Sequence, residues 1–177
     1  MGASADEPCS REWRGPDPAT VTFRRLIGSV LEVVKHLRVR DEQLPFVGRI
    51  ETIVEHAPPS SHFHAIAIDG DIVGFFNIDT AYGATYAFSS PGEVGLRAFF
   101  IEARHQGKGY GTAAARALAG YVAEHYPDAP SIALTVNCRN RAAHRTYLGA
   151  GFADTGELYH GGRAGPQHVM RMTLRDR

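Results

Sequence analysis

Alternation of apolar and polar side chains recurs along the sequence and predicts a β-sheet. Seven runs show it, at residues 20–26, 62–68, 71–77, 93–102, 131–137, 151–158 and 167–174. Because apolar residues occur at every second position, one face of each strand is expected to pack on a hydrophobic core. Asp69-Gly70 separates the second and third runs. This dipeptide is typical of a two-residue type I′ turn, so these two strands are expected to form a hairpin.

Apolar residues spaced three and four apart predict helices between the strands. The expected helical segments are residues 30–37 after a Ser29 cap, 41–55, 109–126 and 140–149. Residues 80–92 contain several glycine, serine and proline residues, which predicts an irregular connection that carries part of a substrate pocket. The order of elements predicts an α/β fold, in which a mixed sheet is covered by helices on both faces.

Length and composition favour one domain. A chain of 177 residues, 44% hydrophobic and 21% charged, is long enough to bury about 70% of its unfolded surface around a single core. Residues 1–18 are rich in proline and in small and charged residues. Such a composition predicts a flexible tail at 1–18, followed by a single domain at 19–177.

The charge balance and the apolar runs exclude several classes of partner. Nineteen basic and nineteen acidic side chains give a formal net charge of +0, so no global field attracts nucleic acid. No apolar run approaches the roughly 18 residues of a membrane helix, so no membrane partner is expected. With two cysteines and no basic-then-apolar N-terminal layout, the sequence predicts a cytoplasmic protein without a disulfide framework.

Three glycines, Gly107, Gly109 and Gly111, alternate between an apolar strand and an alanine-rich helical segment. Glycine is costly inside regular structure, so its repetition at an element boundary indicates that the backbone approaches another group closely. The first turn of a helix offers unpaired amide N–H groups and the positive end of the helix dipole. A phosphate is therefore the expected ligand, with Arg104 and Lys108 adding charge at the rim.

Two common phosphate-binding motifs do not fit this segment. A Walker loop needs four residues between its first glycine and a Gly-Lys-Ser/Thr triplet, and the segment lacks that spacing. A dinucleotide fingerprint, Gly-x-Gly-x-x-Gly, also fails, because the three glycines alternate.

The segment resembles instead the acetyl-CoA pyrophosphate signature of the GCN5-related N-acetyltransferase (GNAT) family, through Gln106-x-x-Gly109-x-Gly111. A second family pattern, Asn-x-x-Ala-x-x-x-Tyr-x-x-x-Gly-Phe, is matched downstream by Asn140, Ala143, Tyr147, Gly151 and Phe152. Both signatures occur in the family's order, and the resemblance covers about residues 60–174. It implies the GNAT acyltransferase fold, with a mostly antiparallel sheet that splays at the cofactor site.

The resemblance also implies acetyl-CoA as the cofactor and the residues that bind it. Those of the glycine turn would hold the pyrophosphate: Gln106, Gly107, Lys108, Gly109, Tyr110, Gly111 and Thr112. Asn140 would contact the pantetheine arm, with Ala143 in the same site, and Tyr147 would face the thioester sulfur. A backbone N–H at Phe100 or Ile101 would hold the developing oxyanion, a donor worth about 3 kcal/mol.

Acetyl transfer to a primary amine poses two proton problems. The amine must lose a proton, since an alkyl ammonium has a pKa near about 10.4, and the leaving thiolate needs a donor. Tyr147 is the candidate general acid. Glu102 is a candidate base, and the open alternatives are a water chain, Glu93, Asp79 and Glu42. No Cys-His or Ser-His pair indicates covalent catalysis, so the amine is expected to attack directly.

The acceptor is indicated by a shorter resemblance. Residues 41–47, Asp-Glu-Gln-Leu-Pro-Phe-Val, resemble a segment of bacterial diamine and polyamine acetyltransferases, which favours a polyamine-like small amine. Glu42 and Asp79 are the candidate ammonium partners, whereas Arg49 departs from the pattern with a cation that would repel a polycation. A protein N-terminus, an aminoglycoside-type antibiotic and a non-catalytic acyl-CoA-binding role are the alternatives.

Metal binding and oligomeric state are less strongly indicated. His62 and His64 alternate on one strand, but a pair without further ligand spacing gives no reason to assign a metal. A homodimer is the commonest closed assembly and is the oligomer expected if one forms.

Overall fold

A seven-stranded sheet forms the centre of the molecule in a computed structural model that describes residues 21–174. The strands are Val21–Arg25 (β1), Ser61–Ile68 (β2), Asp71–Asp79 (β3), Val94–Ile101 (β4), Ser131–Asn137 (β5), Ala153–Tyr159 (β6) and Gln167–Thr173 (β7). Their order is β1-β2-β3-β4-β5-β7-β6, antiparallel except where β4 meets β5. The mixed α/β sheet is confirmed. The proposed tail at 1–18 lies outside the described residues.

Within residues 21–174, six α-helices accompany the sheet, and several are shorter than the sequence predicts. They are Val30–Val34 (α1), Leu44–Val47 (α2), Ile50–Glu55 (α3), Tyr82–Thr85 (α4), Tyr110–His125 (α5) and Arg141–Gly149 (α6), with 3₁₀ turns at Asp41–Gln43 and Ala103–His105. The continuous helix expected over 41–55 is wrong, because Gly48 adopts a φ of +88° and separates α2 from α3. Ser29 precedes α1 but makes no side-chain capping hydrogen bond.

The hairpin expected at Asp69-Gly70 is confirmed. Ile68 pairs with Asp71, which leaves a loop of two residues between β2 and β3. Asp69 and Gly70 have φ angles of +51° and +89°, as a type I′ turn requires at both central positions.

Alternation along the central strands builds two apolar cores, one on each face of the sheet. Phe76 belongs to the core beneath α5 and α6, whereas its neighbour Phe75 belongs to the core beneath α1 and α3. In the first core Leu118 and Val122 of α5 are completely buried. Successive strand residues point to opposite faces, so each of these strands contributes to both cores.

The two histidines of β2 are structural. His64 is fully buried and stacks on Phe76 with ring centroids 4.6 Å apart, and His62 Nδ1 lies 3.0 Å from the Tyr126 hydroxyl. Burial lowers the pKa of His64 to about 4; a backbone hydrogen bond at His62 opposes this, while Arg25, His62 and His125 add to it. The folded protein therefore holds His64 as a neutral imidazole.

We predict that stability falls with acidification through His64. The unfolded chain protonates this ring near pH 6.5 and the folded chain near pH 4, so the free energy of unfolding decreases by about 3 kcal/mol as the pH falls across that window. Urea unfolding of wild type and His64→Phe, which preserves the stacking, should show that wild type loses about 3 kcal/mol more than the variant between pH 7 and pH 4. Parallel profiles from pH 7 to pH 4 would contradict this assignment.

Candidate active site

The sheet opens between β4 and β5. These parallel strands pair at two positions, Val94 with Ile132 and Gly95 with Ala133, and then diverge. Both strands continue beyond this point, to Ile101 and Asn137. The splay implied by the family resemblance is therefore present, and it leaves a gap toward the C-terminal ends of both strands.

A bulge in β4 accompanies the opening. Phe75 pairs with Phe100 and Asn77 with Arg97, so Ala98 and Phe99 together oppose the single residue Phe76. Ala98 has a φ of +50°, which is uncommon for a residue with a side chain. Bulges bend a strand and redirect its side chains, and they are frequent beside active sites.

A cavity of about 510 Å³ occupies the opening. Its wall includes Ala98 and Phe99 of β4, Thr135 to Asn137 of β5, and Asn140, Ala143 and Tyr147 around α6. The connection at 80–92 contributes Tyr82 and Tyr86, as expected of a pocket-forming loop. Residues 161–164, between β6 and β7, cover another side.

Tyr147 has the surroundings of a proton donor. Its residue is 8% exposed, and its ring packs against Phe99 and Phe152, with centroids 6.0 and 5.5 Å away. Within the described part of the chain, no hydrogen bond to its hydroxyl is formed. Burial raises the pKa of Tyr147, so the phenol remains protonated at neutral pH.

The start of α6 matches the sequence expectation. Asn140 is the N-cap residue, and its side-chain oxygen accepts the Ala143 backbone N–H at 3.2 Å. This cap fixes the beginning of the helix, and Asn140, Ala143 and Tyr147 all face the cavity. Capping uses only the side-chain oxygen of Asn140, so the side-chain NH₂ group can donate a hydrogen bond to a ligand.

The glycine turn has the geometry of an anion site. Gly107 and Gly109 have φ angles of +77° and +79°, and Gly109 is the N-cap of α5. A Cβ built on Gly107 would meet no atom within 4 Å, so open space lies against this backbone. The turn lies between β4 and α5. The first N–H groups of α5, at Tyr110, Gly111 and Thr112, have no partner within the helix and can donate hydrogen bonds to a diphosphate.

Gln106 holds the turn in place through its side chain. Its amide nitrogen donates to the Gln43 side-chain oxygen and to the Ile101 carbonyl, both at 2.8 Å. The residue therefore links the glycine turn to β4 and to the segment before α2. Phe100 and Ile101 are 7% exposed, their side chains pack into the two cores, and neither residue lines the cavity.

The candidate bases Glu102 and Glu93 are held by structural hydrogen bonds. Glu102 is 3% exposed and accepts the backbone and side-chain N–H groups of Arg104. Glu93 is fully buried; burial by itself raises its pKa, but hydrogen bonds from Arg171, Ser90, Ser89 and Ser131 lower the pKa to about 2. Neither carboxylate lines the cavity.

The candidate ammonium partners also lie outside the cavity wall. Asp79 is 1% exposed, accepts hydrogen bonds from Ser60 and the Ala81 N–H, and lies 3.3 Å from the Arg97 guanidinium. Glu42 is exposed on the 3₁₀ turn before α2. The part of β4 that faces the cavity therefore presents the cation Arg97, with the Asp79 carboxylate behind it.

Sequence reasoning missed two features of this wall. The Tyr82 ring lies directly on Gly95, where a Cβ would come within 2.0 Å of it. His56, at the end of α3, also lines the cavity, and its Nδ1 lies 3.1 Å from the Thr52 carbonyl. The glycine in β4 was the available signal for close packing, whereas nothing local to His56 indicated a site.

A comparison with protein families assigns the chain. The model of the Acetyltransferase (GNAT) family matches residues 30–152. The chain therefore belongs to the GNAT acetyltransferase family, as the two signatures indicate, and its class of activity is acetyl-CoA-dependent N-acetylation.

Individual relatives show what the chain is similar to. Spermine/spermidine N(1)-acetyltransferase of Bacillus subtilis (strain 168) is 32% identical over 127 residues, which are 69% of this chain and 80% of the relative. Aminoglycoside acetyltransferase AAC(6')-Ib with coenzyme A superposes with a TM-score of 0.69 at 22% identity, covering 86% of this chain and 94% of that one. For spermidine N-acetyltransferase from Vibrio cholerae with coenzyme A and spermine, the TM-score is 0.65, the identity 17% and the coverage 88% and 96%.

No helix among the described residues combines the length and apolar character needed to cross a membrane.

We predict that Gly109→Val weakens acetyl-CoA binding by on the order of 10-fold or more. The branched side chain would occupy the space of a phosphate oxygen, and losing one hydrogen bond to a charged group costs about 1.5–3 kcal/mol. Calorimetry with acetyl-CoA measures the change in affinity. Gly156→Val is the matched control, because Gly156 has the same φ of +79° in β6, with open space around it.

Both variants should lose stability from the strained backbone, by about 1–3 kcal/mol. Only Gly109→Val should also lose affinity. Undiminished acetyl-CoA affinity in a folded Gly109→Val variant would contradict binding of the diphosphate at this turn.

Proposed function

We propose that this chain transfers the acetyl group of acetyl-CoA to a primary amine of a small molecule by direct attack, with Tyr147 as the general acid. The observation that carries the proposal is a buried phenol without a hydrogen-bond partner in the described chain, on the wall of the cavity between β4 and β5. When bound, acetyl-CoA supplies an acetyl group activated as a thioester.

The proposed cofactor contacts lie at the ends of the two separated strands. Backbone N–H groups from Gly107 to Thr112 hold the diphosphate, and the side chain of Gln106 fixes that turn from behind. Asn140 and Ala143 would contact the pantetheine arm, and the backbone of β4 near Phe100 and Ile101 would supply the N–H for the oxyanion. A preorganised donor of this kind costs no reorganisation during the reaction.

Tyr147 is suited to donate a proton to the leaving sulfur. Burial raises its pKa, so the hydroxyl keeps its proton at neutral pH and acts as a hydrogen-bond donor. A departing thiolate, with a reference pKa of about 8.5, would be stabilised by a hydrogen bond from this phenol, which would share its proton with the sulfur as the carbon–sulfur bond breaks.

His56 is the proton acceptor that the cavity offers. With its Nδ1 proton donated to the Thr52 carbonyl, Nε2 keeps a lone pair. Among the described residues that line the cavity, none is an aspartate or a glutamate. We therefore propose His56, in place of the carboxylates expected from the sequence, as the general base. It would accept the ammonium proton directly or through one water.

The first acceptor to test is a polyamine. The Bacillus subtilis relative is named for spermine and spermidine, and residues 41–47 resemble a segment of such enzymes. In this chain the carboxylates proposed for the ammonium groups are Glu42 and Asp79, which would have to reach the substrate from outside the cavity wall.

A specific observation favours a second class of acceptor, an amine that also carries an anionic group. The cavity wall contains Arg97 and Arg163 and, among the described residues, no carboxylate. Two cations repel a polycation, whereas a carboxylate or phosphate on the acceptor would bind a guanidinium in a charge-assisted hydrogen bond. The same repulsion applies to an aminoglycoside, which is the acceptor class of one structural neighbour.

We predict that Tyr147→Phe lowers kcat by on the order of 100-fold and leaves acetyl-CoA affinity unchanged, because the variant removes only the donated proton. Thiol release in steady state measures kcat, and calorimetry measures affinity. Unchanged turnover in Tyr147→Phe would refute the acid role and favour a cavity used for packing alone.

His56→Ala should lower kcat at neutral pH, with less effect at alkaline pH, where the amine is already deprotonated.

We predict that Arg97→Gln distinguishes the two acceptor classes by the sign of its effect on KM. Thiol release is measured with spermidine, an aminoglycoside, a peptide N-terminus and amino acids, for wild type and variant. If the acceptor carries an anion, the variant raises its KM; if the acceptor is a polycation, the variant lowers it. Arg24→Gln on exposed β1 is the control and should leave KM unchanged.

Absence of acceptor-dependent release over the whole panel, despite tight acetyl-CoA binding, would contradict the enzymatic proposal and favour an acyl-CoA-binding module. The same preparation tests the proposed homodimer, because light scattering gives the mass of the particle in solution.

A further inference from the structure

Three metal-ligating side chains meet where α6 packs against the β6–β7 hairpin, outside the cavity wall. His144 of α6, Asp154 of β6 and His168 of β7 place their ligand atoms within 4.8 Å of one another. Asp154 Oδ2 lies 2.8 Å from His144 Nε2 and 3.0 Å from His168 Nδ1. The two imidazole rings are tilted by 42° to each other, with centroids 4.6 Å apart. None of the three lines the cavity.

The donor set matches a borderline transition metal. Two imidazole nitrogens and one carboxylate oxygen are ligands that Zn²⁺ accepts at about 2.0–2.2 Å, with a water completing a tetrahedron. The side chains of His144, Asp154 and His168 are 24%, 25% and 31% exposed, so an ion can reach them without unfolding. Hard cations prefer an all-oxygen set and are disfavoured here.

The carboxylate is oriented by the backbone of β6. Asp154 Oδ1 accepts the Gly156 N–H at 2.9 Å, which leaves Oδ2 directed at both histidines. The β6–β7 register shifts between Asp154 and Leu158, and this irregularity accommodates the turn at Gly156. Hydrogen-bonded ligands of this kind are typical of metal sites.

We propose that His144, Asp154 and His168 form a zinc-binding site that ties α6 to the β6–β7 hairpin. His144 follows Ala143 directly, so the ion would anchor the helix that carries Asn140 and Tyr147. The hairpin contributes Tyr159 and Gln167 to the cavity on its other side. The site would therefore brace two walls of the cavity, whatever acceptor the cavity binds.

The competing arrangement is a metal-free triad in which both imidazoles donate a proton to Asp154 Oδ2. It accounts for the distances of 2.8 and 3.0 Å equally well, but it predicts no affinity for zinc. A tetrahedral site needs the nitrogen and oxygen atoms to separate by a few tenths of an ångström, which side-chain rotation can supply.

The test is zinc binding to the full chain, free of a histidine tag and stripped with a chelator. Competition with a chromophoric chelator should show one Zn²⁺ per chain, and His144→Ala or His168→Ala should each weaken it at least about 100-fold. The control is His160→Ala, an exposed histidine outside the cluster, which should not change the affinity. With free zinc about 100-fold above Kd, the melting temperature of wild type should rise by roughly 5–10 °C, and that of the two variants should not.

Co²⁺ absorption gives a readout that is independent of stability. Intense visible bands are expected for a tetrahedral site in wild type and are lost in His168→Gln, a milder variant whose metal-free melting temperature shows whether it folds. Absence of zinc binding by wild type would overturn the proposal in favour of the metal-free triad. Zinc binding that persists unchanged in all three cluster variants would also overturn it, because the ion would then lie elsewhere.

Discussion

The separation of β4 from β5 is the feature on which the rest of the molecule depends. Two parallel neighbours that pair at Val94 and Gly95 would ordinarily continue pairing to their ends, since unpaired strand edges leave backbone groups unsatisfied. Here the bulge at Ala98 turns β4, and the Tyr82 ring packs on Gly95 where the strands part. Beyond these two pairs the facing edges of β4 and β5 are not joined to each other, and sheet edges of this kind are where extended ligands can add.

Each separated strand is followed along the chain by a helix, and this connectivity brings the candidate residues to one edge of the sheet. β4 ends in the glycine turn and α5, whose first amides are unpaired, and β5 ends at Asn140 and α6, which carries Tyr147. Parallel strands put their C-terminal ends at the same edge of the sheet. The glycine turn and the buried phenol therefore lie at the same edge of the sheet, although Gly111 and Tyr147 are 36 positions apart in the sequence.

Features with a local physical cause could be predicted from the sequence. The Asp69-Gly70 turn, the Asn140 cap and the glycines before α5 each follow from the φ preference or hydrogen bonding of one or two residues. Gly48 was the local signal for the break in the helix expected at 41–55, but continuous apolar spacing outweighed it in the prediction. Contacts between segments that are distant in the sequence have no local signal. These contacts determine whether each acidic side chain is held by structural hydrogen bonds. Nothing in the sequence near Glu93 indicates that its carboxylate binds Arg171, which lies 78 positions away.

The histidines illustrate the same limit. His62 and His64 are close in sequence and were the pair considered for a metal, yet one hydrogen-bonds to Tyr126 and the other is buried against Phe76. His144 and His168 lie 24 positions apart and meet only because α6 packs beside the β6–β7 hairpin. Sequence spacing can identify metal-ligating residues that lie on one helix or strand. It does not identify those that tertiary packing brings together from different elements.

A crystal structure with coenzyme A bound tests the central claim most directly, because that claim concerns what occupies the gap between β4 and β5. The account predicts diphosphate oxygens within hydrogen-bond distance of the amides between Gly107 and Thr112, the pantetheine arm along the open edge of β4, and the sulfur beside the Tyr147 hydroxyl. Coenzyme A lodged outside this gap, or a sulfur atom far from Tyr147, would contradict it.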